Sequence, residues 1–256
     1  MDSKKWGIVR TEKDLCHVVL FVSRNKDNNC NGRKVENFKE RRRAFITDEP
    51  FDSAHLKKKF REFVEEGVQG ETSRFYYSVN ARYVPTVRTK LLHFLIDNPN
   101  FNLCQLNGKI AGLAAEADCA AEKRWLFDFD ITENAVLEEF LEELYAQAGD
   151  VSIDLVKPTP HGYAVIVSRG FDYRELCNDY RWKGYVECKK DDMLYIESET
   201  KGLNNLSLME DGVHYVFTLD KEEKFEYRPV NLEDKSNEKD RILADIPLES
   251  ELTVKK

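Results

Sequence analysis

The sequence predicts an α+β protein that contains an antiparallel sheet. Between residues 124 and 188 the predicted elements run in the order strand, helix, strand, strand, helix, strand. This split βαβ order is typical of a ferredoxin-like or RNA-recognition-like sheet. The preceding part of the chain alternates short apolar strands with amphipathic helices, which predicts a smaller α/β module in front of that sheet.

The N-terminal module is predicted from apolar runs, aromatic runs and one clear helical repeat. Leu56, Phe60 and Phe63 recur at helical spacing behind Asp52 and Ser53, two residue types that often cap helices. The predicted strands of this module are residues 17–23, 43–47 and 74–79, and its predicted helices are residues 54–66 and 86–96.

The second module contains the predicted ferredoxin-like sheet. Its long helix buries a stripe that includes Leu137, Phe140 and Leu144. The predicted strands are residues 124–131, 151–156, 163–167 and 185–188, and the predicted helices are residues 133–148 and 173–180.

The chain is predicted to contain three domains. An N-terminal module with basic helices covers residues 1–110, the second sheet covers residues 111–205, and an extension with an acidic tail covers residues 206–256. The net charge of -8 argues against unselective coating of nucleic acid, but residues 33–61 are locally basic. We therefore expect a local basic surface.

The six cysteines show no pairing motif and no zinc-finger spacing, which favours reduced structural thiols in a reducing cytoplasm. No apolar run approaches the roughly 18 residues that span a bilayer, so no membrane partner is expected.

Two carboxylates, Asp128 and Asp130, stand in the otherwise apolar run RWLFDFDI. On a strand they share one face, about 7 Å apart, while Phe127 and Phe129 point to the core. Two acids at this spacing can share hard cations, although an edge strand with solvated acids has the same pattern. The acids also begin a DxDxT sequence that ends at Thr132, as in haloacid-dehalogenase-like phosphatases, whose first Asp is a nucleophile.

Polar residues also share one face of the strand at 74–79 and its continuation. This row is either a solvated face or a ligand-facing one, and its members are Arg74, Tyr76, Ser78, Asn80 and Arg82.

The run RWLFDFDI, a helix, and then VKPTPHGYAVIVSRGFD together resemble the archaeo-eukaryotic primase superfamily. That superfamily has an hDhD strand, a small residue followed by His, and a third acid on a later strand. Residues 24–27 (RNKD) and 76–82 (YYSVNAR) are similar to motifs of a divergent phage-encoded set within it. The resemblance covers roughly residues 17–196, and it implies a metal-dependent nucleotidyltransferase of DNA replication.

The resemblance implies roles for several residues of this chain. Mg²⁺ or Mn²⁺ would bind Asp128 and Asp130, with Glu187 as the third acid. The nucleoside triphosphate would contact His161, Gly162, Arg82, Arg74 and Lys26. The chain departs from the family pattern at Ala164, which stands two residues after the glycine where the family has histidine.

The expected partners follow from the same resemblance. The basic helices between residues 33 and 61 would follow a single-stranded or template nucleic acid, and the acidic tail would engage a replication protein. If the chain is phage-encoded, its compartment would be the host cytoplasm. The alternative without chemistry is a nucleic-acid-binding protein that uses Phe75, Tyr76 and Tyr163 for stacking.

Overall fold

The computed structural model describes residues 14–29 and 34–202 and the backbone of three further strands, 206–210, 213–219 and 225–230. It forms two compact units, residues 1–201 and 202–256. The α+β fold with antiparallel sheets is confirmed. No helix within the described residues is both long and apolar enough to cross a bilayer. The five cysteines described, Cys16, Cys104, Cys119, Cys177 and Cys188, are free thiols.

The first sheet of the larger unit has the strand order β2-β1-β3-β9, with β4 paired to β1. Its elements are β1 (Leu15–Ser23), α1 (Asn25–Asn28), β2 (Arg41–Thr47), α2 (Ala54–Glu65), β3 (Thr72–Ser78), β4 (Arg82–Tyr83), α3 (Val84–Asp97), α4 (Leu106–Ala114) and β9 (Met193–Thr200).

The second sheet has the order β6-β7-β5-β8, with every neighbouring pair antiparallel. Numbered by their order in the chain, β5, β6, β7 and β8 are strands 1 to 4 of this sheet. Read from the β8 edge, the spatial order is therefore 4-1-3-2, which is the order of a ferredoxin-like sheet. Its elements are β5 (Trp125–Phe129), α5 (Asn134–Ala148), β6 (Ile153–Thr159), β7 (Gly162–Val167), α6 (Arg174–Asn178) and β8 (Val186–Lys189).

Strand alternation gives the second sheet two different faces. Phe127 and Phe129 are fully buried and pack with Phe140 of α5, as the parity of the run predicts. The opposite face contributes Leu126 and Ala164 to a core cluster shared with the first sheet. Apolar contact therefore holds the two sheets together, and the polar residues that follow Leu126 on this face, Asp128 and Asp130, line a cleft between them.

Helix α2 forms for the reasons that the sequence suggests. Ser53 caps it by accepting a hydrogen bond from the backbone N–H of Leu56, at 3.1 Å, and the predicted apolar stripe is buried. That stripe packs with Phe21 and Phe75, whose alternation places them on the face of the first sheet opposite to Leu20 and Tyr76.

One prediction for the N-terminal module is wrong. The described basic residues from 34 to 43 do not form a helix: residues 36–37 lie in a turn, and Arg41 begins strand β2. The β-branched and aromatic residues of RAFIT favour a strand, and pairing with β1 over seven residues extends it to include the arginines.

The structure also contains elements that the local patterns missed. Strand β9 lies within the predicted second domain but pairs with β3 of the first sheet. In the smaller unit, β10 (Leu206–Glu210), β11 (Val213–Leu219) and β12 (Phe225–Val230) form a three-stranded antiparallel sheet. The acidic tail from residue 231 lies outside the described residues.

Candidate functional site

A cleft of about 490 Å³ lies between the two sheets of the larger unit. The first sheet and helix α1 supply one basic wall, formed by Arg24, Lys26, Arg42 and Arg74. The second sheet and the segments beside it supply the acids Asp128, Asp130 and Asp192 together with Lys189. The cleft therefore has cations on one wall and mostly carboxylates on the other.

The basic wall is organised by one buried carboxylate, that of Asp27. Its side chain is 5% exposed, and it accepts hydrogen bonds from Arg24 Nε at 2.8 Å and from Arg74 Nη2 at 2.6 Å. Such charge-assisted bonds hold guanidinium groups in defined orientations. The RNKD motif thus contributes two cleft residues, Arg24 and Lys26, and the acid that orients Arg24.

The residue after Asp27 fixes the short helix α1. Asn28 is fully buried; its side-chain amide donates to Ser23 Oγ and to the Arg24 and Thr72 carbonyls, and its Oδ1 accepts from the Thr72 backbone N–H at 2.6 Å. A four-residue helix has little stability of its own, so these bonds supply its position.

The Arg74 side chain is 16% exposed, and its buried Nε atom makes no hydrogen bond with any described residue. Arg82 Nε, which does not line the cleft, is buried without a hydrogen bond in the same way, so this feature does not distinguish the basic wall. That Arg74 faces the cleft follows from its place among the residues that line it.

The acid pair lies in the cleft as its parity predicts. Asp128 is in β5 directly opposite Ala164 of β7 and Glu187 of β8. Asp130 follows the end of β5, and its backbone N–H donates to the Tyr185 carbonyl at 2.7 Å, which continues the extended path. Both aspartates line the cleft.

Asp128 is not free of partners. Lys189 Nζ donates a hydrogen bond to Asp128 Oδ2 at 2.8 Å, and it lies 3.7 Å from carboxylate oxygens of Glu187 and Asp192. Burial lowers the pKa of Lys189, but the Asp128 hydrogen bond and the neighbouring carboxylates raise it more, so the pKa lies above its ordinary value. The ammonium therefore stays charged at neutral pH.

Glu187, predicted as the third metal ligand, shares the sheet face of Asp128 but is 74% exposed and lies outside the residues that line the cleft. Within the described ranges, no three His, Cys, Asp or Glu side chains are arranged to hold a metal ion. Mg²⁺ is commonly held by one or two carboxylates plus substrate phosphates. Asp128 and Asp130 therefore fit a cation that arrives with a triphosphate.

Arg82 lies away from the cleft lining. It is 2% exposed and forms a bidentate pair with Asp191, at 2.7 and 2.8 Å. Asn80 also donates to Asp191 at 3.1 Å, and it exchanges hydrogen bonds with the backbone of Arg124. Asn80 and Arg82, which follow β3 in the chain, thus connect the end of β3 to the start of β5 and to the turn between β8 and β9.

The predicted polar row therefore divides into two parts. Arg74 and Tyr76 line the cleft, whereas Asn80 and Arg82 are buried in the connection just described. Ser78 accepts a hydrogen bond from the Val18 backbone N–H at 3.0 Å. The row is regular only as far as β3 extends, because the chain turns after Ser78.

The turn between β6 and β7 brings His161 into the cleft beside Thr159 and Pro160. Gly162 has a different role: a Cβ atom there would lie 1.9 Å from the Phe129 carbonyl oxygen, so only glycine allows β7 to start against the end of β5. Ala164 lines the cleft directly opposite Asp128.

Several cleft residues were not predicted as site residues, among them Arg42, Lys189, Asp192 and Tyr195. Arg42 directly precedes the predicted strand at 43–47, and Lys189 directly follows the predicted strand at 185–188. Extending each strand by one residue places Arg42 on the face of Ala44 and Lys189 on the face of Glu187. Asp192 follows β8 in the turn to β9, and local pattern alone does not reveal its direction.

Comparisons with known proteins add no relative. No family model, curated protein or solved structure matches the chain.

Proposed function

We propose that the chain is a Mg²⁺- or Mn²⁺-dependent nucleotidyltransferase of the primase or polymerase type, which binds a nucleoside triphosphate in the cleft between the two sheets. The observation that carries this proposal is the division of charge across the cleft. A basic wall of four cationic side chains faces Asp128 and Asp130 across a space of about 490 Å³. Triphosphates with a divalent cation need cationic and carboxylate partners together.

Each wall has a separate task in this proposal. Arg74 and Arg24, held by Asp27, bind phosphate oxygens, and Lys26 and Arg42 add positive charge. Asp128 and Asp130 would hold Mg²⁺ or Mn²⁺, which when bound stabilises negative charge on the transferred phosphoryl group. His161 approaches the same space from its turn. Tyr76 and Tyr195, with ring centroids 5.9 Å apart, offer an aromatic surface to the base.

Template binding belongs to the same proposal. Of the basic segment 33–61, Arg42 lines the cleft, while α2 with its exposed Lys57 and Lys58 covers the opposite face of the first sheet. Arg42 is therefore the residue of that segment that would be closest to a template strand entering the cleft. The replication-protein partner of the acidic tail stays a prediction.

A second candidate function is nucleic-acid binding without catalysis. It is favoured by the Lys189–Asp128 ion pair, since that ammonium reduces the repulsion between the acidic wall and a phosphate backbone. Ala164 in place of the family histidine also favours it. The phosphatase alternative has less support, because β5 lies in an antiparallel sheet and the DxDxT motif of those enzymes normally opens a parallel one.

Isothermal titration with Mn²⁺, with and without nucleoside triphosphate, tests the proposal together with template-dependent incorporation of labelled nucleotide. The wild type should bind Mn²⁺ more tightly with triphosphate present and should incorporate nucleotide. Asp128→Asn and Asp130→Asn should each lose both properties, while Glu138→Gln, an exposed acid of α5, should retain them. Single-strand binding that survives both Asn variants, without incorporation by the wild type, would establish the second candidate.

A further inference from the structure

One cation is already built into the acidic wall, and it is the ammonium of Lys189. Register pairing places Lys189 opposite Leu126 and Glu187 opposite Asp128, so Lys189 reaches Asp128 diagonally across the two strands on one face of the sheet. Its Nζ atom lies 2.8 Å from Asp128 Oδ2 and 3.7 Å from both Glu187 Oε2 and Asp192 Oδ2. These carboxylates come from β5, β8 and the following turn.

A metal ion that bridged Asp128 and Glu187 would have to take this position, because Lys189 Nζ lies within 3.7 Å of both carboxylates. An ion shared by Asp128 and Glu187 would be next to the ammonium, and like charges a few ångströms apart repel strongly. The strand register and three carboxylates hold Lys189 in place, and its side chain is 28% exposed. Asp130, in contrast, forms no ion pair with a described residue and lines the cleft beside Asp128. A metal ion that contacts Asp130 would therefore not compete with a side-chain cation already paired with that carboxylate.

We infer that Lys189 replaces one of the two cations of a two-metal site, so that the chain binds a single divalent ion together with the triphosphate. This inference rests on the proposed function. Lys189 is then a positioning residue that neutralises Asp128 and Glu187, and Glu187 serves as its partner and is not a metal ligand. The side chain supplies a fixed positive charge where a second metal ion would otherwise bind.

Counting bound Mn²⁺ by electron paramagnetic resonance, with a non-hydrolysable nucleoside triphosphate present, tests the inference without using activity. The wild type should bind one Mn²⁺ per chain, and Lys189→Gln should bind two. Lys190→Gln is the matched control, because it removes the same charge from the next residue. The Lys190 ammonium lies over the Trp125 ring, 5.1 Å from its centroid. That variant should bind one.

Glu187→Gln provides a second test that does not depend on the folding of the Lys189 variant. Because Glu187 is largely exposed, the substitution should leave the fold intact and change the Mn²⁺ affinity less than twofold. Three results would each overturn the role of Lys189 while leaving the proposed function standing. They are two Mn²⁺ ions bound by the wild type, one Mn²⁺ ion bound by a folded Lys189→Gln protein, and a tenfold loss of Mn²⁺ affinity in Glu187→Gln. Absence of Mn²⁺ binding by the wild type would overturn the proposed function and this inference with it.

Discussion

Asp27 Oδ1 accepts a hydrogen bond from Arg74 Nη2 at 2.6 Å, which joins helix α1 to a strand 47 residues further along the chain. The same carboxylate binds Arg24 through its other oxygen. Because Asp27 is almost fully buried, it sets the direction of both guanidinium groups before any ligand arrives. Preorganised cations of this kind bind an anion without the entropic cost of ordering long side chains.

Asp27→Asn should weaken triphosphate binding about tenfold, equivalent to about 1.4 kcal/mol, because the neutral amide no longer orients both arginines. The loss of charge-assisted bonds should also lower the free energy of unfolding by about 1–3 kcal/mol. Titration with a fluorescent triphosphate and urea denaturation measure the two effects. Glu36→Gln, an exposed acid in the same module, is the control and should change neither. Unchanged affinity in Asp27→Asn would show that the arginines do not bind phosphate.

Arg82→Met should lower the free energy of unfolding by about 3–5 kcal/mol, because it leaves the Asp191 carboxylate without its bidentate partner. Chemical denaturation measures this change. Arg88→Met, on an exposed face of α3, should be within about 0.5 kcal/mol of the wild type. If Arg82→Met instead kept its stability and lost triphosphate affinity tenfold, Arg82 would be a phosphate ligand, as the sequence predicted.

Gly162→Ala should destabilise the protein by about 1–3 kcal/mol, because the added methyl group would overlap the Phe129 carbonyl and push β7 away from β5. Thermal unfolding followed by circular dichroism measures the shift. Gly108→Ala provides a matched control in α4, where a Cβ atom meets open space. That control should stabilise the protein by up to about 1 kcal/mol, since alanine favours helix more than glycine does. Equal stability of the two variants would contradict the close approach.

Ala164→His should tighten triphosphate binding about tenfold, because it places an imidazole directly opposite Asp128 in the cleft and adds a hydrogen-bond donor for phosphate. Ala164→Phe is the control for size, since it adds a ring without the nitrogen atoms. Titration with a fluorescent triphosphate compares the two. Loss of affinity in both variants would indicate that the cleft cannot accommodate a ring at residue 164.

Much of the fold could be predicted because its signals are local. The buried stripe of α5 and the alternation in WLFDF depend on residues within a few positions of each other, and both are confirmed. Strand β9 was missed because Met193–Thr200 pairs with Thr72–Ser78, and no local pattern specifies a partner more than 110 residues away. Arg41 and Arg42 were expected in a basic helix, whereas pairing with β1 places them in strand β2 together with the predicted residues 43–47.

The strand–helix order of the second sheet and the shared face of Asp128 and Asp130 can be read from the amino-acid sequence, because both follow from backbone periodicity. The partners of the charged groups, in contrast, depend on how distant segments of the chain pack. Arg82 pairs with Asp191 and Lys189 with Asp128, and these contacts join residues 109 and 61 positions apart. Charge type is a property of each residue, but the distance and burial that give a charge its role arise only when the two sheets pack together.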